Sequence, residues 1–308
     1  MVASPPTTSA RGPHASSLLA RKFRAVDAEL ASAIPRVLNG GDDEAIHDMR
    51  VAIRRLRTLL KLARPVYGRF HADAVRAAFT AVHRATGTLR DEEVLEETLD
   101  EVVCNAPIFS TWKTRRQARE RSLRRAVVAR LRAGELTRAR HLLRALITLP
   151  VRPTHDRLAT KLARRAIDRA RRGVEERRDA PTDDSVALHD LRIAYKELRY
   201  AAELLGDALP ADLAAMSEPA SKFQKRLGEI HDADMAIVTV KRARGLDEVT
   251  RGRVLASLGG LRTKRVAKYL NEMVPSASAP EAPEAPASET QLRISPPAPS
   301  RSGRFPAS

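Results

Sequence analysis

IHDMRVAIRRLRTLLK (Ile46–Lys61) and LHDLRIAYKELRYAAE (Leu188–Glu203) decide how this chain is read. His47/His189, Asp48/Asp190, Arg50/Arg192, Ala52/Ala194, Leu56/Leu198 and Arg57/Arg199 are identical, at an offset of 142 residues. Met49/Leu191, Val51/Ile193 and Arg54/Lys196 are conservative pairs at the same offset. A second match, TGTLRDEEV (Thr86–Val94) against LGEIHDADM (Leu227–Met235), aligns Gly87 with Gly228 and Asp91 with Asp232 at an offset of 141. Two separated matches at nearly one offset indicate two copies of one unit, about 16–150 and 151–274.

At about 100° per residue on a helix, Arg50, Arg54, Arg57 and Lys61 fall within about 80° on the side that carries His47. Met49, Ala52, Ile53, Leu56, Leu59, Leu60 and Ala63 fall on a separate arc and form a core face. The second copy repeats the division, with His189, Arg192, Lys196 and Arg199 on one face and Leu191, Ala194, Tyr195, Leu198, Ala202 and Leu205 on the other. Glu203 stands where the first copy has Lys61, so the second face ends in an opposite charge. Like charges one turn apart destabilise a helix by a few tenths of a kcal/mol each, ~0.2–0.5. A linear anion with closely spaced charges would neutralise such a row and release its counterions. His47 and His189 admit two readings, a phosphate donor strengthened by protonation or a packing residue bonded to a carboxylate. Asp91 and Asp232, each placed after a Gly-containing turn, are read as structural, capping the next helix or orienting an Arg.

Away from these motifs, apolar periodicity near 3.6 predicts helices over 17–38, 45–64, 69–87, 90–104, 108–133, 135–149, 155–178, 184–207, 212–230, 232–244 and 246–272. Breakers fall between them, including Gly40-Gly41, Pro65, Gly68, Gly134 and Pro210. Asp42-Asp43 and Thr182-Asp183 are the candidate N-caps of the two motif helices. No alternating strand-length segment appears. Residues 1–15 are small and polar, and 275–308 are rich in Pro, Ala and Ser, so both are expected to be disordered. The predicted architecture is all-α: two pseudo-symmetric helical bundles around a basic groove.

The 308 residues carry 55 Lys and Arg against 38 Asp and Glu, a net charge of +17. That charge attracts nucleic acid, polyphosphate, anionic lipid or an acidic protein over long range. High genomic GC content would account for the preference for Arg over Lys, but not for the net charge. Cys104 is the single cysteine, which leaves no intrachain disulfide to form. No apolar run reaches membrane-span length and the N-terminus lacks the apolar stretch of a signal peptide, so a cytoplasmic location without membrane association is expected.

H-D-M-R-V-A-I-R-R-L-R at 47–57, H-D-L-R-I-A-Y-K-E-L-R at 189–199, T-G-T-L-R-D at 86–91 and L-G-E-I-H-D at 227–232 resemble the CHAD family, the conserved histidine α-helical domain. The resemblance covers nearly all of 16–274. It implies two pseudo-symmetric helical bundles with a basic central groove, binding of inorganic polyphosphate, and association with polyphosphate granules. By position it carries over His47, Arg50, Arg54, Arg57, His189, Arg192, Lys196 and Arg199 as ligands. Lys61 extends the first cationic row, and Lys222, Lys225 and Arg226 are candidates for the groove wall. Glu197, Glu203 and the exchange of Arg90 for His231 depart from symmetry and put equal binding by the two copies in doubt.

Two other readings compete. The His-Asp pairs 47–48, 189–190 and 231–232 resemble those of metal-dependent HD phosphohydrolases, also all-α. A metal site needs its ligands to converge, and Asp48 points about 100° away from His47 on the helix. A tunnel-type triphosphatase would need a β-barrel and an E-x-E-x-K motif, and neither is found. No phosphate-binding Gly loop or H-E-x-x-H is present, so no enzymatic activity, metal or cofactor is expected. Nucleic-acid binding fits the charge, but the few aromatics (4%) are scattered. Single-strand binders use aromatics as stacking platforms. Nonspecific nucleic-acid binding therefore remains the alternative, with Phe223 beside Lys222 and Lys225 the one suggestive aromatic.

Overall fold

Twelve helical segments, and no strand, make up the described residues of the computed structural model, which are 13–40, 44–102, 104–151 and 156–273. They are α1 (Ala15–Asn39), α2 (Glu44–Tyr67), α3 (Arg69–Ala85), α4 (Gly87–Asp100), α5 (Pro107–Arg132), α6 (Glu135–Thr148), α7 (Ala159–Glu175), α8 (Ser185–Leu205), a 3-10 turn (Gly206–Ala208), α9 (Ala211–Ala215), α10 (Ser217–Lys241) and α11 (Glu248–Met273). The fold is all-α. Residues up to Asn271 group as one unit, and the rest of the chain as another. The tail expected to be disordered at 275–308 and the candidate caps Asp42 and Asp43 lie outside the described residues. No helix among the described residues is long and apolar enough to cross a membrane.

The motif helices are amphipathic in the sense the periodicity implies. Met49, Ala52, Ile53, Leu56, Leu59, Leu60 and Ala63 of α2 are all buried, as are Leu191, Ala194, Tyr195, Leu198, Ala202 and Leu205 of α8. α2 packs between α1 and α3, and α8 between α7 and α10. Phe23 and Leu30 of α1, Phe79 of α3 and Leu143 of α6 close over α2 in the main hydrophobic cluster, and Tyr200 and Leu204 of α8 join it. A separate cluster unites Leu95 and Leu99 of α4, Phe109 and Trp112 of α5, Val240 of α10, and Val254 and Leu258 of α11.

Several boundaries differ from the sequence-based reading. Pro13–Ala15, expected to be disordered, are ordered, because the start of α1 is tied to the start of α7: Ala15 N–H donates to the Arg157 carbonyl (2.8 Å) and Ala159 N–H to the Pro13 carbonyl (2.9 Å); residues 1–12 lie outside the described residues. Pro65 does not end α2. It sits in the last turn, where one lost backbone bond is tolerated, and the chain turns at Gly68, whose φ of 84° is open to glycine at little cost. Asp184, not Thr182 or Asp183, caps α8, accepting from Val186 N–H (2.8 Å) and Ala187 N–H (3.0 Å). The helices predicted at 212–230 and 232–244 are instead a short α9 followed by a continuous α10. Gly228 costs a helix interior only about 1 kcal/mol, too little to break one packed along its length. Asp232 therefore lies mid-helix and not after a turn.

Replacing Leu56 with Ala empties a fully buried position and is expected to destabilise the fold by about 2–5 kcal/mol. Asp184→Ala removes only a cap and should cost about 1 kcal/mol. Urea denaturation followed by circular dichroism measures both; equal costs would contradict this packing.

Candidate functional site

α2 and α8 cross antiparallel. Two ion pairs show the direction: Lys61 to Glu197 at 2.6 Å, and Arg55 to Glu203 at 3.6 Å. Under the 142-residue offset, Arg55 corresponds to Glu197 and Lys61 to Glu203, so each bridge joins one α2 residue to the counterpart of the other bridge's α2 residue. A two-fold relation between paired elements produces such reciprocal contacts.

A cavity of about 310 Å³ opens beside this crossing. Arg54, Arg57 and Lys61 of α2 line it from one side, and Lys196 of α8 from the other. Arg76 of α3, Arg157, and Arg165 and Arg169 of α7 complete the cationic wall. Arg54 and Lys196 occupy equivalent motif positions and repel each other across the space. Arg54 also opposes the charges of Arg50, Arg57 and Arg192, and it makes no ion pair among the described residues.

The cluster leaves its mark on proton affinities. Burial, reinforced by Arg192, Arg54 and Arg57, pushes the Lys196 ammonium down to about 8. His83, half-buried behind α2, is pushed down to about 3 by desolvation and then by Arg50, Arg57, Arg54 and Lys196. Its Nε2 and the Nε of Arg76 are buried without a hydrogen-bond partner. Arg57 Nε donates to Thr80 Oγ1 at 3.0 Å, which points its guanidinium along the wall.

The other predicted site residues are distributed differently. Arg50 does not belong to an open row: it is buried, donating to Thr86 Oγ1 (2.5 Å) and the His83 carbonyl (3.4 Å), because the end of α3 and the α3–α4 junction cover that part of α2. Burial pushes it down to about 10, while Asp91 attracts it. Arg192 is its counterpart, attracted by Asp232 and lying over Gly228, where a Cβ would stand 3.5 Å from its Nε. Each aspartate attracts its arginine through space without an ion pair or hydrogen bond to it, and neither caps a helix. His47 is exposed, whereas His189 is half-buried with its ring centroid 4.8 Å from that of His231. Burial and then Arg192 depress both rings, His231 to about 4. Arg199 pairs with Glu203 at 3.4 Å and lies 5.3 Å over the Tyr200 ring. Lys222 and Lys225 are exposed on α10, and Arg226 pairs with Glu229 at 3.0 Å; none of the three lines the cavity. Asp48 pairs with Arg36 at 2.6 Å.

Sequence reasoning missed Arg76, Arg157, Arg165 and Arg169. The i, i+4 spacing of Arg165 and Arg169 on the amphipathic α7 was a readable signal. Arg76 and Arg157 are brought in only by tertiary structure.

The features together define an all-helical protein with a cation-walled cavity at a helix crossing. The chain belongs to the CHAD domain family, whose model matches residues 21–241. The crystal structure of the CHAD domain from the plant Ricinus communis is similar, with 21% identity and a TM-score of 0.61 over 88% of this chain and 93% of that one. PptA from Streptomyces chartreusis is similar at 16% identity and a TM-score of 0.63, over 84% of this chain and 98% of that one. Comparison with curated proteins gave no match.

Arg54→Gln removes the charge at the centre of the repulsion and should stabilise the ligand-free protein by about 1 kcal/mol, several like-charge pairs being relieved at once. In the unfolded chain His83 takes up its proton near 6.5, but the folded chain keeps it neutral down to about 3. Stability therefore falls as the pH drops through that window. The variant should show a smaller acid loss and a higher His83 pKa by NMR. An unchanged His83 titration would contradict the cluster.

Proposed function

We propose that the chain binds inorganic polyphosphate in the α2–α8 cavity, without turning it over. One observation carries this reading: equivalent cations of the two motif helices, Arg54 and Lys196, face one space, and no carboxylate neutralises Arg54 among the described residues. Each arginine fork donates to two phosphate oxygens, and a run of phosphates places a charge opposite each cation. Membership in the CHAD family supports the same ligand through the resemblance described above. The reciprocal bridges of α2 and α8 support reading the two motifs as duplicated halves that share the site. Accumulation at polyphosphate granules follows from this reading.

Nucleic acid is the second reading considered. A single-file phosphate chain fits a cavity of about 310 Å³, whereas a duplex does not enter one and could only lie across the outer basic surface. Polyphosphate should therefore displace DNA at physiological salt, and its affinity should fall steeply as salt rises. Equal affinities would count against the cavity. Arg54→Glu with Arg57→Glu should abolish polyphosphate binding and leave the helical spectrum intact; retained binding would sink the assignment. Binding an anion raises the pKa of Lys196, so protons are taken up, and the affinity should fall as pH rises above about 8. Calorimetry in buffers of different ionisation enthalpy measures that uptake. Phosphate release from polyphosphate or nucleotides with Mn²⁺ or Mg²⁺, lost on replacing His189, would favour a hydrolase instead.

A further inference from the structure

The cavity is only half cationic. Most of its surface is apolar carbon. Leu62 of α2, Ala166 of α7 and Ile193 of α8 converge there, and each is half-buried, with aliphatic surface left open in the ligand-free protein. Val66, Leu162 and Ala201 form the floor beneath them and are buried. α7 shows the arrangement most simply. Leu162, Ala166 and Ala170 recur at i, i+4 and i+8, Arg165 and Arg169 follow one line over, and all five line the same space. A polyphosphate chain is polar along its whole length and leaves that floor against water. Apolar lining beside convergent charged groups, here eight cations and Glu197, suits a small ligand with both characters.

We infer that this cavity takes a medium-chain alkyl phosphomonoester, the phosphate held by Arg54, Arg57 and Lys196 and the chain laid against Leu62, Ala166 and Ile193. A nucleotide suits the lining less well. The one aromatic in the wall, Tyr200, is itself buried, and no Asn or Gln lines the cavity to read a base edge. The inference stands apart from the polyphosphate reading, since it depends on the apolar half of the wall and on a single phosphate.

The test is calorimetric titration of the full chain with ethyl, butyl, hexyl and octyl phosphate as monomers, beside tripolyphosphate and octanol. Each fully buried methylene is worth about fourfold in affinity, so octyl phosphate should bind at least tenfold tighter than ethyl phosphate. Octanol should not bind. Affinity independent of chain length overturns the proposal, and so does equal binding of octanol. Phosphatidylcholine vesicles containing phosphatidic acid distinguish a bilayer headgroup from a free ligand: binding to vesicles without binding to monomeric octyl phosphate overturns it as well. Ala166→Phe fills the apolar side without touching a cation. It should erase the chain-length dependence and leave the helical spectrum intact; a folded variant that keeps the dependence overturns the placement. Failure of tripolyphosphate and long-chain polyphosphate to bind, with the alkyl series intact, would defeat only the proposed function.

Discussion

Everything at this site depends on holding two cationic helices against each other. Two unit charges 4 Å apart interact by about 1 kcal/mol in water and about 4 kcal/mol near a protein surface. The crossing of α2 and α8 brings several mutually repelling cations together. The opposing contribution is apolar: Tyr200 and Leu204 enter the same cluster as Leu56, Leu59 and Leu60, and a fully buried side chain of this kind is worth about 1.5–3 kcal/mol. The bridges Lys61–Glu197 and Arg55–Glu203 are partly exposed, and such pairs contribute about 0–1 kcal/mol each. Packing therefore holds the crossing, and the ion pairs select its direction and register.

That division of labour explains why the second motif departs from the first. Glu197 and Glu203 read, in the sequence alone, as defects in a cationic face. In the fold they are the complements of Lys61 and Arg55. Strict repetition would have put four cations at the two bridge positions. The shared Arg has a different job again. Arg50 and Arg192 lie inward, each attracted by its own aspartate, Asp91 or Asp232, and they add positive potential from behind the wall without reaching the cavity. Only the next position, Arg54 and Lys196, meets across it. One repeated pattern thus serves as inner support, cavity wall and register lock at successive turns of the helix.

The helical fold was legible because periodicity and burial agree: every residue assigned to the core faces of α2 and α8 is buried. The start and end of local elements were less so. Pro65 and Gly228 are breakers by local propensity, and packing overrode both. The site was half legible. A helical wheel places Arg50, Arg54 and Arg57 on one side, but it cannot show that the α3–α4 junction covers Arg50. Nor can it show that α7 delivers Arg165 and Arg169 to the same space, or that Lys222 and Lys225 lie elsewhere. These facts depend on contacts between segments about a hundred residues apart, which no window of sequence contains.

Burial is the largest cause of the depressed pKa values of Lys196 and His83; the share that comes from neighbouring cations and the attraction for an anion are one quantity seen from two sides. In the ligand-free protein each added cation raises the potential in the cavity, which makes protonation of Lys196 and His83 harder. An anion that enters lowers that potential, and by reciprocity it must bind more tightly to the protonated form than to the neutral one. The cavity therefore cannot gain affinity by adding further cations indefinitely. Beyond some density the next one added, if it can titrate, sheds its proton. Lys196 at about 8 is close to that limit at neutral pH, whereas arginine, with its far higher intrinsic value, escapes it. A wall built mainly of Arg, with Lys61 and Lys196 its only lysines, keeps most of its charge, and that requirement accounts for the residue type alongside phosphate geometry.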